Sequence, residues 1–287
     1  MHSVMASTIE LAARLSAVVS AQQAMLSVIN NPESVMQVAV QRTPEVTNGM
    51  GAVVELVEGE ELVYRAASGT AARNVGLRLK LASSLSGACI REARPIRCDN
   101  VELDPRVDSA AVRVMNIRSM IVAPLVEGGT VIGVLKSFSS KTNSFEDLDT
   151  YSLQLLAGMT SSALMQAHEF RERQASEERY RLLFERNVAG VFRTTLDGRI
   201  LDCNEALVSS LGYSSRQELL SRESWDLYPT RGDREQYLER LKRGALTNAR
   251  LQLKRKDGST LMGIVSASII PAEEGEDQVL GTMVEDA

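Results

Sequence analysis

Val191-Phe192-Arg193-Thr194-Thr195-Leu196-Asp197-Gly198-Arg199-Ile200-Leu201-Asp202-Cys203-Asn204 reads as two short strands folded about an Asp-Gly turn. Asn204 then introduces short helices, Pro229 marks a loop, a helix follows, and three further strands are set around Lys256-Asp257-Gly258 and around Ala272 to Asp277. This order predicts an α+β domain in which helices flank a central antiparallel sheet.

The 287 residues are long for one core and comfortable for two, so a second domain is expected upstream. A hydrophobic fraction of 44% and a charged fraction of 24% are those of an ordinary globular chain, while aromatics at 4% leave the cores to Leu, Val, Ile, Ala and Met. A net charge of -5, with Lys and Arg interspersed among acids, gives no footprint for nucleic acid. No run of about 18 apolar residues occurs and the start lacks the pattern of a signal peptide, which predicts a cytoplasmic chain with no membrane span.

Working upstream, Val4, Thr8, Leu11, Leu15, Val18, Gln22, Met25 and Ile29 recur at alternating spacings of four and three, a largely apolar stripe on an N-terminal helix. Asn31-Pro32 breaks that helix, and a second is expected from Glu33 to Arg42, ended by Thr43-Pro44. The period then changes to that of strands. Ala52 to Val57 and Leu62 to Ala67 form a hairpin across Glu58-Gly59-Glu60, and Ser119 to Val126 and Val131 to Ser137 form another across Glu127-Gly128-Gly129. Between them come a helix at Leu85 to Glu92 and the segment Pro95-Ile96-Arg97-Cys98. Phe145-Glu146-Asp147-Leu148-Asp149 opens a last helix with three acids in its first turn, favourable at the positive end of its dipole.

From Asp147 to Arg186 there is no proline and only Gly158 as a glycine, so one helix of about 40 residues and roughly 60 Å can join the two domains. Leu11, Leu15, Val18 and Met25 of the N-terminal helix and Leu155, Met159 and Phe170 of the long helix are the expected dimerisation and signalling face.

Leu211-Gly212-Tyr213 after Asn204, the segment Arg255-Lys256-Asp257-Gly258-Ser259 and the close Gly281-Thr282-Met283-Val284-Glu285-Asp286 complete a pattern that resembles a PAS domain, a sensory module. Leu85-Ser86-Gly87-Ala88, Arg94-Pro95-Ile96, Arg118 to Leu125, Val131-Ile132-Gly133-Val134-Leu135 and Phe145 to Asp149 resemble, in this order, a GAF domain. Together they imply an N-terminal helix over 1–20, a GAF domain over 21–168, a connector helix over 169–179 and a PAS domain over 180–287. In fold class this is α+β: two sensor domains, each with a central antiparallel sheet, joined by a long helix.

The GAF resemblance implies a small-molecule pocket on one sheet face. Phe145 and Asp149 match the cyclic-nucleotide pattern, but Thr150 stands for its Glu and Ser137-Phe138 for its Asn-Lys, which argues against a cyclic nucleotide. No Cys-His pair exists for covalent bilin, no Asn-Cys-Arg segment for a flavin adduct, and neither core offers a histidine for haem. The cofactor is therefore left unknown; Val191, Leu211, Trp225, Leu227, Leu253 and Ile264 line either a second-domain pocket for a small, largely apolar ligand or a plain core in a domain that binds nothing and serves as a coupling and dimer element. Cys89, Cys98 and Cys203 form no CxxC, and with only His2 and His168 beside them they predict no metal site. Cys89 and Cys98 remain as a possible redox pair.

No Walker loop, Gly-x-Ser-x-Gly or His-Glu-x-x-His segment is present. The expected function is that of a signal-input region, homodimeric through its helices and governing an output domain or partner kinase of the sensor-histidine-kinase type. The alternatives are a thiol redox enzyme using Cys89 and Cys98, and a scaffold whose output is a protein contact.

Overall fold

The computed structural model describes residues 2–107, 112–113, 115–271 and 276–286, with the backbone alone for residues 2–10. Val4 and Thr8 of the N-terminal stripe, and His2, thus have side chains outside the described set, as does most of the turn expected at Ala272 to Asp277. The chain divides into two compact units, 1–173 and 174–287.

The first unit is built on six antiparallel strands in the order β3-β2-β1-β6-β5-β4. These are β1 (Gly51–Glu58), β2 (Glu61–Ala67), β3 (Arg78–Lys80), β4 (Ile96–Cys98), β5 (Ser119–Glu127) and β6 (Thr130–Ser139). In β1, β5 and β6 runs of five to seven consecutive residues are buried because both faces are covered, which is why these strands read as apolar runs rather than as alternations. Ala52, Val54, Ile121 and Leu135 point to one face, beneath α1 (His2–Leu26), α2 (Pro32–Val46) and the first half of α4 (Asp147–Glu185). Val53, Val122, Val134 and Phe138 point to the other, covered by α3 (Leu85–Glu92) and the irregular segments around it.

Thr43-Pro44 does not end the second helix as expected; the helix passes through it to Val46. Pro44 lacks the N–H that would bond the Val40 carbonyl, and the Ser68 hydroxyl donates to that carbonyl instead, at 2.7 Å. The stripe on α1 is also divided: Val18 and Met25 are buried in the unit's own core, while Leu11 and Leu15 are 42% and 47% exposed. On α4, Leu155 and Met159 are half-buried and Phe170 is exposed.

α4 starts at Asp147, so Glu146 stands just before it and its N–H donates to Asp149 at 2.8 Å. Asp149, fully buried, also accepts from the Asn48 N–H at 2.9 Å and from Arg14 at 2.7 Å. The Asp of the cyclic-nucleotide pattern is therefore a structural tie between the start of α4, the end of α2 and α1. The helix continues through Gly158 for 39 residues.

The second unit carries five antiparallel strands in the order β8-β7-β11-β10-β9: β7 (Gly190–Thr195), β8 (Ile200–Cys203), β9 (Leu246–Lys254), β10 (Thr260–Ile270) and β11 (Gln278–Glu285). Between β8 and β9 lie α5 (Glu205–Ser210), α6 (Arg216–Leu220), a 3-10 turn at Ser224–Leu227 and α7 (Arg231–Lys242). Gly198 sits at φ +110°, and a side chain there would run into the Trp225 ring, so the Asp-Gly turn needs glycine for both conformation and space. α7 begins with a reciprocal cap between Thr230 and Asp233.

Asn204 ties this unit together. Its Oδ1 accepts from the N–H of Val191 at 2.8 Å and of Leu207 at 3.1 Å, and its Nδ2 donates to the carbonyls of Phe184 and Ala189, both at 2.9 Å. One fully buried side chain thus joins the end of α4, the start of β7 and the N-terminus of α5.

Candidate functional site

Two places hold polar side chains where each fold should have only apolar ones. The first is the sheet face of the first unit beneath α3. Glu55 on β1 and Lys136 on β6 are buried on this face as diagonal neighbours, since Val53 pairs with Lys136 and Glu55 with Val134. A bulge in β2 sets Tyr64 opposite Glu55 while Ala66 faces Val54, so Tyr64 is turned onto the same face. The Lys136 ammonium pairs with Glu55 Oε1 and lies 5.2 Å from the centre of the Tyr64 ring. Burial alone would depress the Lys136 pKa, but the Glu55 carboxylate and Tyr64 outweigh it and hold the ammonium above the ordinary lysine range. Burial raises the Tyr64 phenol. Neither Glu55 oxygen accepts a well-formed hydrogen bond among the described residues.

Cys89, on α3 against this face, donates to the Arg94 carbonyl at 3.2 Å. It is pushed up to about 12 by burial first and then by Glu92 and Glu55. Cys98 is likewise pushed up to about 12 by burial and by Asp104, and Cys203 to about 11 by burial. All three are free and buried. Because the thiolate is the reactive form, iodoacetamide should modify none of them appreciably in the native chain at pH 7.5. Modification should accelerate as pH rises toward the thiol pKa values or on unfolding. Rapid labelling of Cys89 or Cys98 at neutral pH, read by peptide mass, would contradict this placement.

The second place is a small cavity of about 40 Å³ between sheet and helices of the second unit. Leu211, Leu227 and Leu253 line it. The other three expected lining residues do not. Strands alternate faces, and at the two strand positions the neighbour one step along takes the place: Phe192 and Val265 line the cavity, whereas Val191 and Ile264 belong to the opposite parity. Trp225 lies in a separate recess, which Arg234 also lines, with Arg231 at 5.9 Å from its ring.

Sequence reasoning did not identify the cavity's polar lining: Thr194, Ser224 and Arg234. Arg234 projects from α7 on the side it shares with Tyr237 and Leu241, all three buried. It is 3% exposed, with its guanidinium 5.7 Å and 5.3 Å from the ring centres of Tyr228 and Tyr237. Its Nε and Nη2, the Thr194 and Ser224 hydroxyls and the Tyr237 hydroxyl have no hydrogen-bond partner among the described residues. The spacing Arg234, Tyr237, Leu241 on a capped helix was the available signal, because an arginine in register with two core positions faces inward. Among the described residues no cluster of His, Cys, Asp or Glu could hold a metal ion.

A family model for the GAF domain matches residues 30–165, and one for the PAS domain matches residues 188–286. Among curated proteins, the sensor histidine kinase TmoS of Ectopseudomonas mendocina is 29% identical over 117 residues, which are 39% of this chain and 12% of that protein. The chain thus matches a small part of a much longer relative. Among solved structures, a free methionine-R-sulfoxide reductase from Neisseria meningitidis is similar at 19% identity over 55% of this chain and 92% of that one, with a TM-score of 0.47. A domain of a sensory box sensor histidine kinase/response regulator from Geobacter sulfurreducens is similar at 27% identity over 39% of this chain and 95% of that one, with a TM-score of 0.33.

Proposed function

Because the chain is a GAF domain followed by a PAS domain, a sensory input region similar to those of sensor histidine kinases, we propose that it governs a histidine kinase output by switching the arrangement of helices α1 and α4 in a homodimer. The observation that carries this is α4 itself. Its first half supplies Leu153, Leu156 and Leu164 to the core of the first unit. Its last turn is fastened within the second, where Phe184 is buried and Arg216 pairs with Glu185 and Asp202. A helix whose two ends belong to two sensor domains is a physical means of passing rotation or register between them.

A ligand acts on such an element only as far as it prefers one state over the other. The PAS cavity and the GAF face bearing Glu55 and Lys136 are the places where that preference would arise. The exposed Leu11 and Leu15 on α1, with Leu155, Met159 and Phe170 on α4, form the dimer face; Val18 and Met25 drop out of it because they serve the unit's own core. No described helix is long and apolar enough to cross a membrane, and we place the module in the cytoplasm as one arm of a bacterial two-component system. The thiol-enzyme alternative requires a reactive thiolate, which the raised Cys89 and Cys98 thiols disfavour.

The test is to join this whole chain in frame to the phosphoacceptor and ATP-binding regions of a sensor histidine kinase and to measure autophosphorylation. The hybrid should be dimeric, and its rate should change when the buried Glu55–Lys136 pair is replaced. A monomeric hybrid, or one whose rate ignores both domains, would contradict the proposal.

A further inference from the structure

We propose that the PAS cavity is a binding site for a small organic carboxylate, held by Arg234. Nε and Nη2, the two unpartnered nitrogens of Arg234, lie on one edge of the guanidinium, the edge whose parallel N–H bonds match the two oxygens of a carboxylate. Arg234 is 3% exposed, and no carboxylate of the chain pairs with it among the described residues. A buried cation without a counter-ion is unfavourable, and an anion entering the cavity supplies one.

The hydroxyls of Thr194 and Ser224, also buried and unpartnered, line the same cavity from β7 and from the 3-10 turn, where each can donate to the anion. Three separate elements thus present unused donors to one space, while Leu211, Leu253 and Met283 form an apolar wall beside them. A guanidinium edge that can only donate, with two hydroxyls able to donate beside it in an otherwise largely apolar lining, favours an acceptor-only head on an apolar body. The volume of about 40 Å³ restricts that body to a short chain. This replaces the expected, largely apolar ligand with an anionic one.

The inference rests on the input-region reading only for its consequence, since binding is measured on the chain itself. The full 287-residue chain is titrated with acetate, propionate and butyrate, using propionamide and butyramide as uncharged controls at constant ionic strength. Trp225, the only tryptophan, reports on the PAS domain, and heat flow provides an independent signal. At least one carboxylate should bind saturably, and its amide should bind at least about tenfold more weakly. Arg234→Gln should abolish the response, and Arg234→Lys should retain part of it. If Arg234→Gln does not fold, the T194V/S224A double variant carries the test, with a loss of about tenfold or more expected.

Absence of saturable binding by all three acids, equal binding of acid and amide, or undiminished binding by R234Q or by T194V/S224A would overturn the proposal and leave the cavity as a hydrated pocket. Carboxylate binding that leaves the hybrid kinase unchanged would uphold the site and count against the input-region reading. A regulated kinase without carboxylate binding would do the reverse.

Discussion

Replacing Lys136 by Met should lower the stability of the GAF domain by about 3–5 kcal/mol, because it strands the Glu55 carboxylate, fully buried on the inner sheet face, without its cation. The pair itself is worth far less than this loss, since bringing both charges out of water offsets most of their attraction. The double variant E55Q/K136M should therefore recover most of the stability that K136M loses. Urea unfolding followed by circular dichroism checks both values, and Trp225 fluorescence, which reports the other domain, should keep its midpoint. A cost below about 1 kcal/mol for K136M would mean that Glu55 is accommodated without the ammonium. The same double variant asks whether the charges are retained for signalling: a stable E55Q/K136M hybrid that no longer responds would locate their use there.

Asn204→Ala is expected to destabilise the PAS domain by about 3 kcal/mol or more. The amide makes two bonds to backbone N–H groups and at least two to backbone carbonyls, and alanine leaves these buried groups without partners at roughly 1 kcal/mol or more each. It also removes the N-cap of α5. Asn204→Asp should be no better, because it keeps the acceptor but presents a second acceptor to the carbonyls of Phe184 and Ala189. The measurement is urea unfolding followed by Trp225 fluorescence, and a loss under about 1 kcal/mol would show that the tie is redundant. Since Asn204 also holds the last turn of α4, the variant should loosen that end of the helix, raising amide exchange around Leu183 to Arg186.

Much of the fold could be read from the chain because its punctuation is local. The Asp197-Gly198 turn, the hairpin at Glu58-Gly59-Glu60 and the proline-free run from Asp147 each follow from backbone chemistry that neighbouring residues determine. Failures came where a distant group settled the matter. Pro44 stays inside α2 because Ser68, on another element, takes the freed carbonyl. Val18 and Met25 looked like a seam for a second chain because a stripe on one helix does not say which neighbour will cover it.

The site was less legible than the fold for two physical reasons. Choosing Val191 and Ile264 over Phe192 and Val265 is an error of one residue in a period of two, enough to move each side chain to the other face of the sheet. The polar lining escaped because charged residues are assigned to solvent by default. Glu55 and Lys136 within strands buried on both faces, and Arg234 in register with Tyr237 and Leu241, are departures from that default, and their positions within apolar patterns mark them.

If α4 transmits the state of the sensor domains, an insertion in the hybrid kinase between Gln174 and Ala175 that shifts the helix phase must change the output. Adding two residues rotates everything beyond by about 200° while preserving the helix, whereas adding seven returns the phase to within about 20°. Autophosphorylation should be lost, or its response inverted, with two residues and largely retained with seven. If both insertions leave rate and response as they were, α4 is only a tether, and the account of this chain as a helix-coupled input region is wrong.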